Sequence, residues 1–415
     1  MQMSAVQLGA GGRATQTYGP YAMQHPEQLT ITAVAEKDEG RLAVFADQHG
    51  VAADRRFGDW RELLAGERLA DCALLCLPAD EQPACAQAAL ERGYHVLLES
   101  PLGVDLSHIS SIGRQVLANP ESVVLVGNEL RHSALFSTVK QLIGKGCIGQ
   151  PLSLTLTTGM EHIHYSHAAV RSGSATSAVS PLLTIGWQGM ALLTEIAGGQ
   201  AESVCARGAL SFFTAGNAPE GAPERCLEGC PAEHTCPYFA PRIYLTPNTS
   251  WPVDTISADL SFEGRRRALL AGPYGRCVFR CANTSDDHLT ALVSFDNGAL
   301  ATLTISAFAM TSDRTLHVMG SCGELRASQQ ADTIEISDFL TGQTEIISVD
   351  RSTLPPEDSE GVLLQFLNAV AAGQTSVPHP DVDIEAQLLA AAAEHSRRDA
   401  GAVDIAAFRK TALQQ

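Results

Sequence analysis

The sequence is poor in aromatic and in basic residues, and it contains no long uninterrupted apolar run. Aromatic residues make up 6% of the 415 positions, and 28 basic residues stand against 46 acidic ones, for a formal net charge of −18. A surface this acidic repels nucleic-acid phosphates and anionic lipid headgroups, so we expect no nucleic-acid partner and no membrane partner. No segment approaches the roughly 20 consecutive apolar residues that a membrane-spanning helix needs.

The N-terminus also lacks the charged segment and the cleavage site that mark a secretory signal. The 11 cysteines are odd in number and scattered, which is typical of reduced intracellular thiols. We therefore expect a cytoplasmic protein. The length predicts two or three domains, and an apolar content of 45% excludes a disordered chain.

The first 126 residues alternate between short apolar runs and helical patterns. We predict buried strands at 4–8, 31–35, 73–77, 95–98 and 123–126, and helices at 40–49, 83–92 and 107–118. Strands that alternate with helices of this length indicate a doubly wound parallel sheet. Residues 1–127 are therefore predicted to form an α/β domain.

The pattern changes after residue 127. The runs at 289–295, 299–307, 314–319 and 333–337 alternate apolar and polar residues, and Asn297-Gly298 between two of them predicts a hairpin. Residues 128–415 are thus predicted to form an α+β domain with a large, mostly antiparallel open sheet, one face of which is free for a partner. The segment at about 212–252 is rich in proline, glycine and cysteine and is predicted to be a long insertion loop.

A nucleotide-binding motif, Gly9-Ala10-Gly11-Gly12-Arg13-Ala14, follows the first predicted strand. The first glycine permits a tight turn, the second allows the backbone to approach a pyrophosphate, and the following helix N-terminus offers free N–H groups. Glu36 ends the second strand, where a carboxylate can accept hydrogen bonds from the ribose hydroxyls and so favours NAD. Lys37 and Arg41 leave NADP open, because a nearby cation could hold a 2′-phosphate.

Further motifs resemble those of the glucose–fructose oxidoreductase and inositol dehydrogenase (Gfo/Idh/MocA) family. They lie at 9–13, 33–36, 57–60, 99–102, 130–131, 146–151, 295–299 and 320–325. The resemblance implies a Rossmann domain, an open sheet used for oligomerisation, and NAD(P)-dependent oxidation of a sugar or cyclitol hydroxyl. It implies a homodimer, a homotetramer or a hetero-oligomer with an active relative. The cofactor contacts expected from the fingerprint and this resemblance are Gly9, Gly11, Gly12, Arg13, Glu36, Lys37, Leu77, Pro78, Glu99, Pro101 and Asn128.

The sequence departs from the family pattern at three places. Ser100 stands where the family usually has a lysine, residues 180–190 lack its acid, base and lysine, and 356–361 replace a histidine- and glycine-rich stretch. Three hypotheses follow. The first is an oxidoreductase with an altered acid/base set. The alternatives are a catalytically silent nucleotide-binding homologue or partner subunit, and a redox-neutral enzyme that uses bound NAD transiently.

Histidines after the first strand of the second domain are the candidate acid/base groups. His164 and His167, with Tyr165 between them, resemble a pattern in one branch of the family, and a histidine titrates near neutral pH. These side chains could equally be packing residues, and a metal site is the less favoured alternative. Arg131 and Arg171 are candidate substrate clamps, and Trp187 either narrows the substrate pocket or packs in the core.

The insertion contains a cluster of cysteines that are candidate metal ligands. Cys226, Cys230 and Cys236 cluster there, and Cys277 and Cys281 follow. Thiolates favour tetrahedral zinc, so we predict a structural zinc site formed by the first three cysteines and Cys281, with Cys277 as the next choice. Free thiols or a disulfide remain the alternatives, because a C-x3-C spacing is not the usual one for zinc.

Overall fold

The computed structural model describes residues 2–103, 105–172, 180–257, 259–349, 359–373 and 380–414. The apolar runs at the start of the chain form a six-stranded parallel sheet in the order β3-β2-β1-β4-β5-β6. The central strands are buried on both faces, which explains their continuous apolar sequences. The strands are β1 (Met3–Leu8), β2 (Leu29–Ala35), β3 (Arg56–Phe57), β4 (Cys72–Leu75), β5 (His95–Leu98) and β6 (Val124–Val126).

Helices cover both faces of this sheet, as the doubly wound pattern predicted. Aspartates begin three of them, and Asp38, Asp59 and Asp105 accept backbone N–H bonds at the helix starts. The helix after β1 contains a π-helical stretch, Ala14–Tyr18. The helices are α1 (Gly19–Gln24), α2 (Glu39–Gln48), α3 (Trp60–Ala65), α4 (Gln82–Glu91), α5 (Leu106–Ala118) and α6 (Ala134–Gly144).

The alternating runs of the second half form a nine-stranded sheet, ordered β14-β13-β12-β11-β7-β10-β9-β8-β15. Neighbouring strands are antiparallel except for β7 and β10, and the hairpin predicted at Asn297-Gly298 joins β9 to β10. Gly298 has φ +85°, which a side chain would disfavour. The strands are β7 (Pro151–Glu161), β8 (Ala201–Ala209), β9 (His288–Phe295), β10 (Leu300–Ala309), β11 (Asp313–Gly320), β12 (Gly323–Ser328), β13 (Thr333–Asp338), β14 (Thr344–Ser348) and β15 (Val403–Asp404).

One face of the second sheet is covered by helices and the other is open. A second π-helical stretch, Leu182–Gly186, leads into the helix that packs on strands β7 and β10. The predicted fold class is therefore confirmed. The helices of this half are α7 (His162–Ser172), α8 (Trp187–Ala197), α9 (Ala240–Tyr244), α10 (Phe262–Ala271), α11 (Ser359–Ala371), α12 (Pro380–Asp399) and α13 (Ile405–Gln414).

Two late helices return to the first domain. Helix α11 buries Val362, Leu363 and Phe366 in the core that also holds strand β1. Helix α12 contributes Ile384 and Ala390 to the core on the other side of the parallel sheet. The chain leaves the parallel sheet after β6, but helices α11 and α12 near its end return to pack on both faces of that sheet. This packing joins the two sheets to one another.

The insertion lies between β8 and β9 and runs from 210 to 287, longer than the 212–252 predicted from composition. One carboxylate oxygen of Asp287 accepts backbone N–H bonds from Ser211, Phe212 and Phe213, which ties the start of the insertion to its end. Among the described residues, no helix has both the length and the apolar character to cross a membrane.

Candidate active site

The glycine-rich turn after β1 leaves bare backbone at the carboxyl end of the parallel sheet. Gly9 has φ +88°, and a Cβ there would come within 2.4 Å of the Cys76 carbonyl oxygen, so only glycine fits. A Cβ on Gly11 or Gly12 would meet nothing closer than 4.0 Å and 3.9 Å respectively. The fold therefore does not need these two glycines for its own packing, whereas a pyrophosphate approaching the backbone would.

A cleft of about 340 Å³ lies beside this turn. Glu36 and Lys37 supply its polar side, while Trp60, Leu77 and Pro78 form apolar walls. Six of the predicted cofactor contacts are brought together here: Gly9, Gly11, Glu36, Lys37, Leu77 and Pro78. Trp60 was missed as a candidate cofactor contact, although the family motif at 57–60 contains it.

Glu36 connects the end of β2 to the glycine-rich turn. It is 8% exposed, and one carboxylate oxygen accepts the Ala10 N–H at 2.8 Å. The other oxygen accepts from the Asp38 N–H and from Arg41, both at 2.9 Å. A carboxylate has about four lone-pair sites, and three are used by these donors, so Glu36 retains one acceptor site toward a ribose hydroxyl.

The two cations that left NADP open are both paired with carboxylates. Lys37 Nζ lies 2.6 Å from an oxygen of Glu81, and Arg41 contacts Glu36. A 2′-phosphate would have to compete with both carboxylates, and its charge would be repelled by Glu36. The arrangement therefore suits a ribose diol better than a ribose phosphate.

Arg13 joins the glycine-rich turn to two other loops. Its guanidinium lies 3.3 Å from a carboxylate oxygen of Glu99 and 2.6 Å from one of Glu129. The Tyr18 hydroxyl donates to Glu99 as well. Burial raises the pKa of Glu99, and the Arg13 charge opposes that shift. The network ties the glycine-rich turn to the loops that follow β5 and β6.

Two further candidate cofactor contacts, Pro101 and Asn128, lie in segments that hydrogen bonds within the chain hold in place. Pro101 lies in a turn whose carbonyls at Glu99 and Pro101 accept from Gln82, at 2.8 and 2.9 Å. Asn128 is buried and donates to Asp383 at 3.0 Å. Its other amide atom accepts the Arg131 N–H, so Asn128 begins the 3₁₀ turn that follows β6.

A second cleft, of about 510 Å³, lies on the helix-covered side of the second sheet. His164, on α7, lines it together with Thr158 and Ile185. Desolvation lowers the pKa of His164, Glu161 opposes the shift and Arg171 adds to it. The imidazole is therefore neutral at pH 7, as a proton acceptor must be.

Tyr165 and His167 point away from this cleft into the insertion. The Tyr165 hydroxyl donates to the Ser285 carbonyl at 2.7 Å, and burial raises its pKa well above the usual value. His167 Nδ1 lies 2.9 Å from the Tyr244 hydroxyl, and its ring stacks on Tyr274. Burial lowers the pKa of His167 to about 4. Of the three predicted acid/base residues, the structure brings only His164 to a cleft.

The predicted substrate residues are placed elsewhere. Arg131 lies 3.0 Å from Asp383 and 3.1 Å from Glu195, so its charge is neutralised within the fold. Trp187 is 0% exposed and packs in the core between α8 and the parallel sheet, the second of its two predicted roles. Arg171 is exposed at the end of α7.

The positions that depart from the family pattern lie in three separate segments of the fold. Ser100 lies between Glu99 and Pro101 in the turn that Gln82 holds. Residues 180–190 form the π-helical stretch and the start of α8, where the buried Gln188 accepts from Arg314 at 3.4 Å. Residues 356–358 lie outside the described residues, and 359–361 begin α11.

Four cysteines converge in the insertion. Cys226, Cys230, Cys236 and Cys277 line a void of about 10 Å³, whereas Cys281 is not among its lining residues. All 11 cysteines are free thiols. In the described part of the chain, no group of three or more histidine, cysteine, aspartate or glutamate side chains is arranged to hold a metal ion. The predicted structural zinc therefore finds no support in the structure.

Comparison with known proteins identifies the first domain. Residues 4–127 match the model of the GFO_IDH_MocA family, described as an oxidoreductase family with an NAD-binding Rossmann fold. The dTDP-3,4-didehydro-2,6-dideoxy-alpha-D-glucose 3-reductase of Streptomyces antibioticus is 33% identical over 149 residues, which are 36% of this chain and 43% of that protein. The chain spans less than half the length of the curated relatives it matches.

Solved structures extend the likeness of fold to both domains. An oxidoreductase from Agrobacterium radiobacter, in complex with NAD⁺, L-tartaric acid and magnesium, has a TM-score of 0.70 at 17% identity. That match covers 98% of this chain and 99% of the other. Levoglucosan dehydrogenase in complex with NADH and levoglucosan also has a TM-score of 0.70, at 16% identity, over 98% of this chain and 100% of the other. The predicted family resemblance is confirmed.

Proposed function

We propose, on the premise that residues 4–127 belong to the Gfo/Idh/MocA oxidoreductase family, that this chain is an NAD-dependent oxidoreductase of a small hydroxy or keto substrate of the sugar or cyclitol class. The observation that carries the proposal is the bare backbone at Gly11 and Gly12 beside the buried carboxylate of Glu36. No packing within the fold requires glycine at 11 or 12, and the pairing of Lys37 and Arg41 with carboxylates favours NAD over NADP.

In this proposal, different residues of the cleft bind different parts of the cofactor. Glu36 accepts hydrogen bonds from the adenosine ribose, the N–H groups after Gly11 face the pyrophosphate, and Leu77 and Pro78 pack against the apolar parts of the nucleotide. NAD⁺ supplies the hydride acceptor, its nicotinamide C4. The Arg13–Glu99–Glu129 network fixes the start of the helix that follows the glycine-rich turn.

His164 is the proposed general base. Substrate oxidation removes a hydride from carbon and a proton from the hydroxyl oxygen, and a neutral imidazole in the cleft takes the proton at one ring nitrogen. The family lysine is replaced by Ser100, so this chain has no ammonium group there to assist. His164 then carries the proton transfer by itself, and the substrate binds in the cleft beside it.

Nucleotide binding is the decisive test. We expect NAD⁺ to bind stoichiometrically in isothermal titration calorimetry, and Gly11→Ala to weaken it about tenfold or more, because a methyl group blocks close approach to the backbone. Gly401→Ala is the matched control, because a Cβ there also meets nothing within 4 Å and the site lies far from the cleft. Equal NAD⁺ binding by Gly11→Ala and wild type would contradict the proposed site.

A catalytically silent homologue is the second candidate, favoured by the serine at position 100 and by Gln188 and Gly189 in place of acid/base residues. Absorbance of reduced nicotinamide at 340 nm, followed with a panel of polyols, sugars and their acids, separates the two. Turnover by the isolated protein excludes the silent homologue. Binding of NAD⁺ without any turnover supports it and contradicts the assignment of His164.

We also propose that the open face of the second sheet forms a homodimer. Leu292 and Leu300 are exposed on adjacent strands of this face, surrounded by threonines such as Thr302. His317, Glu324 and Arg326 form a mixed-charge group on the same face, which can meet its own copy across a twofold axis. Exposed apolar side chains rimmed by polar groups are typical of an interface.

A further inference from the structure

A partly buried arginine lies on the helix-covered face of the second sheet. On strand β11, Leu316 and Val318 are buried against the helices, and Arg314 lies two residues before Leu316. Because side chains alternate along a strand, Arg314 is on the same covered face. Its register partner on β7, Thr158, is buried on that face as well. The guanidinium therefore enters the cleft that His164 lines, rather than the open face of the sheet.

The contacts of this guanidinium leave its charge without a counterion. One nitrogen donates to Gln329 at 3.3 Å and another to Gln188 at 3.4 Å, both long bonds to neutral amides. Of the described residues, none places a carboxylate within 4 Å of Arg314. Burial lowers the pKa of Arg314, and the charges of Glu129 and Asp313 oppose that shift. A desolvated cation of this kind gains free energy from any anion that enters the cleft.

The remaining walls of the cleft limit the charge of that anion. Among the described lining residues Arg314 is the one permanent cation, while Asp313 and Asp332 are acidic. His164 is neutral at pH 7 and adds no positive charge. One guanidinium beside the carboxylate of Asp313 suits a monoanion, and a planar carboxylate fits its forked donors. A phosphate dianion would be repelled by Asp313.

We propose that Arg314 binds the carboxylate of the substrate, so that the substrates of this chain are hydroxy acids derived from sugars rather than neutral sugars. This rests on the proposed function, since His164 then acts on a hydroxyl of the molecule that Arg314 anchors. Gln188 and Gln329 hold the guanidinium in the cleft with neutral oxygens that do not compete for its charge. Arg314 is thus a specificity residue, separate from the proton acceptor.

The test uses matched acid and neutral ligands. Protein saturated with NADH is titrated by calorimetry with D-gluconate, D-glucuronate and D-galacturonate, with their neutral counterparts D-glucitol, D-glucose and D-galactose, and with glucose 6-phosphate. We expect at least one acid to bind about tenfold or more tightly than its neutral counterpart, as a hydrogen bond to a charged group implies. The proposal is overturned if no acid binds, if a neutral ligand binds as well as its acid, or if the phosphate binds most tightly.

Variants assign the effect to the residue. Arg314→Gln should weaken binding of the acid about ten- to a hundredfold and leave the neutral ligands unchanged, with partial retention in Arg314→Lys. Arg267→Gln makes the same change of charge on α10, where the side chain is 72% exposed and away from both clefts and the open face, and should have no effect. Unchanged NADH affinity in each variant shows that the fold is intact. Acid affinity that Arg314→Gln does not lower would overturn the assignment.

The outcomes separate this inference from the proposed function. If NADH fails to bind wild-type protein, the proposed function is wrong, and the same titrations without nucleotide decide the anion site by the same criteria. If an acid binds through Arg314 but is never oxidised by NAD⁺-loaded protein, the anion site is confirmed and the oxidoreductase assignment is wrong. If neutral sugars are oxidised as fast as acids, the oxidoreductase assignment is confirmed and the anion site is wrong.

Discussion

The backbone N–H of Ala10 donates to the carboxylate of Glu36 across 2.8 Å, so the first residue after β2 holds the glycine-rich turn that follows β1. This bond joins the two parts of the nucleotide motif that the sequence separates by 26 residues. Glu36 therefore shapes the turn, and in the proposed function it also offers an acceptor to a ribose hydroxyl. Substituting it should therefore change affinity and cofactor preference together.

Glu36→Gln should weaken NAD⁺ binding about ten- to a hundredfold, because a charged acceptor is lost from the cleft. The affinity for NADP⁺ should rise relative to that for NAD⁺, because the repulsion of its 2′-phosphate is removed and Arg41 is released. Calorimetric titration of both nucleotides measures the two effects. Glu39→Gln, at the first residue of α2, makes the same change of charge and is the control. An unchanged NAD⁺ to NADP⁺ ratio in Glu36→Gln would count against a ribose contact.

His164→Gln should lower kcat about a hundredfold or more while leaving NAD⁺ affinity unchanged, because it removes the proton acceptor but no cofactor contact. In the wild type, the rate should rise with pH as His164 loses its proton, through a pKa below the usual 6.5. The variant should lose this limb of the pH–rate profile. If His164→Gln keeps both the wild-type kcat and the rise of the rate with pH, another group accepts the proton.

His167 should affect stability rather than catalysis. Its folded-state pKa is about 4, below the usual 6.5, so the unfolded chain binds the extra proton between these values and stability falls as pH falls. Between pH 7 and pH 5 the wild type should therefore lose about 2 kcal/mol of unfolding free energy. His167→Gln should flatten that dependence in urea unfolding at pH 5, 6 and 7.

The control for this measurement is His234→Gln, because His234 is 89% exposed in the same insertion. It should retain the pH dependence of the wild type. His167→Gln should also keep most of the turnover, in contrast to His164→Gln. If His167→Gln shows the wild-type loss of stability between pH 7 and pH 5, then His167 is not the buried titrating group.

The open sheet face gives a prediction about assembly. Leu292→Glu should convert the dimer to monomers, because it places a charge at the centre of the proposed interface. Multi-angle light scattering after gel filtration should show twice the mass of one chain for the wild type and a single chain for the variant. Leu340→Glu makes the same substitution in a turn where the side chain is 94% exposed, and should remain dimeric. A monomeric wild type would exclude this interface.

Much of the parallel sheet could be predicted because its strands are buried on both faces. Their runs are continuously apolar, and helices begin at aspartates or near prolines between them. β3 was missed because it has two residues, too few for any periodicity. The insertion was predicted too short because residues 253–287 resemble ordinary helix and loop sequence, and only the pairing of β8 with β9 shows where it ends.

The candidate site was predicted unevenly for a similar reason. The glycine-rich turn is local, so its residues could be identified from consecutive positions, and a carboxylate at the end of β2 follows from the fold. His164 and His167 could not be told apart, since residues three apart on a helix lie about 60° from each other around its axis. Tyr244 and Tyr274, which cover His167, come from a distant part of the chain.

By itself, then, the sequence determined the two-sheet architecture and the nucleotide cleft, because both depend on periodicity and on residues close together along the chain. The tertiary structure decided which histidine reaches a cleft, that Trp187 packs in the core, and that Arg131 is neutralised by Asp383. It also revealed that Arg314 holds a partly buried charge near neutral amides. These properties depend on the dielectric surroundings and partners of each side chain, which elements far apart in the sequence provide only once they have packed together.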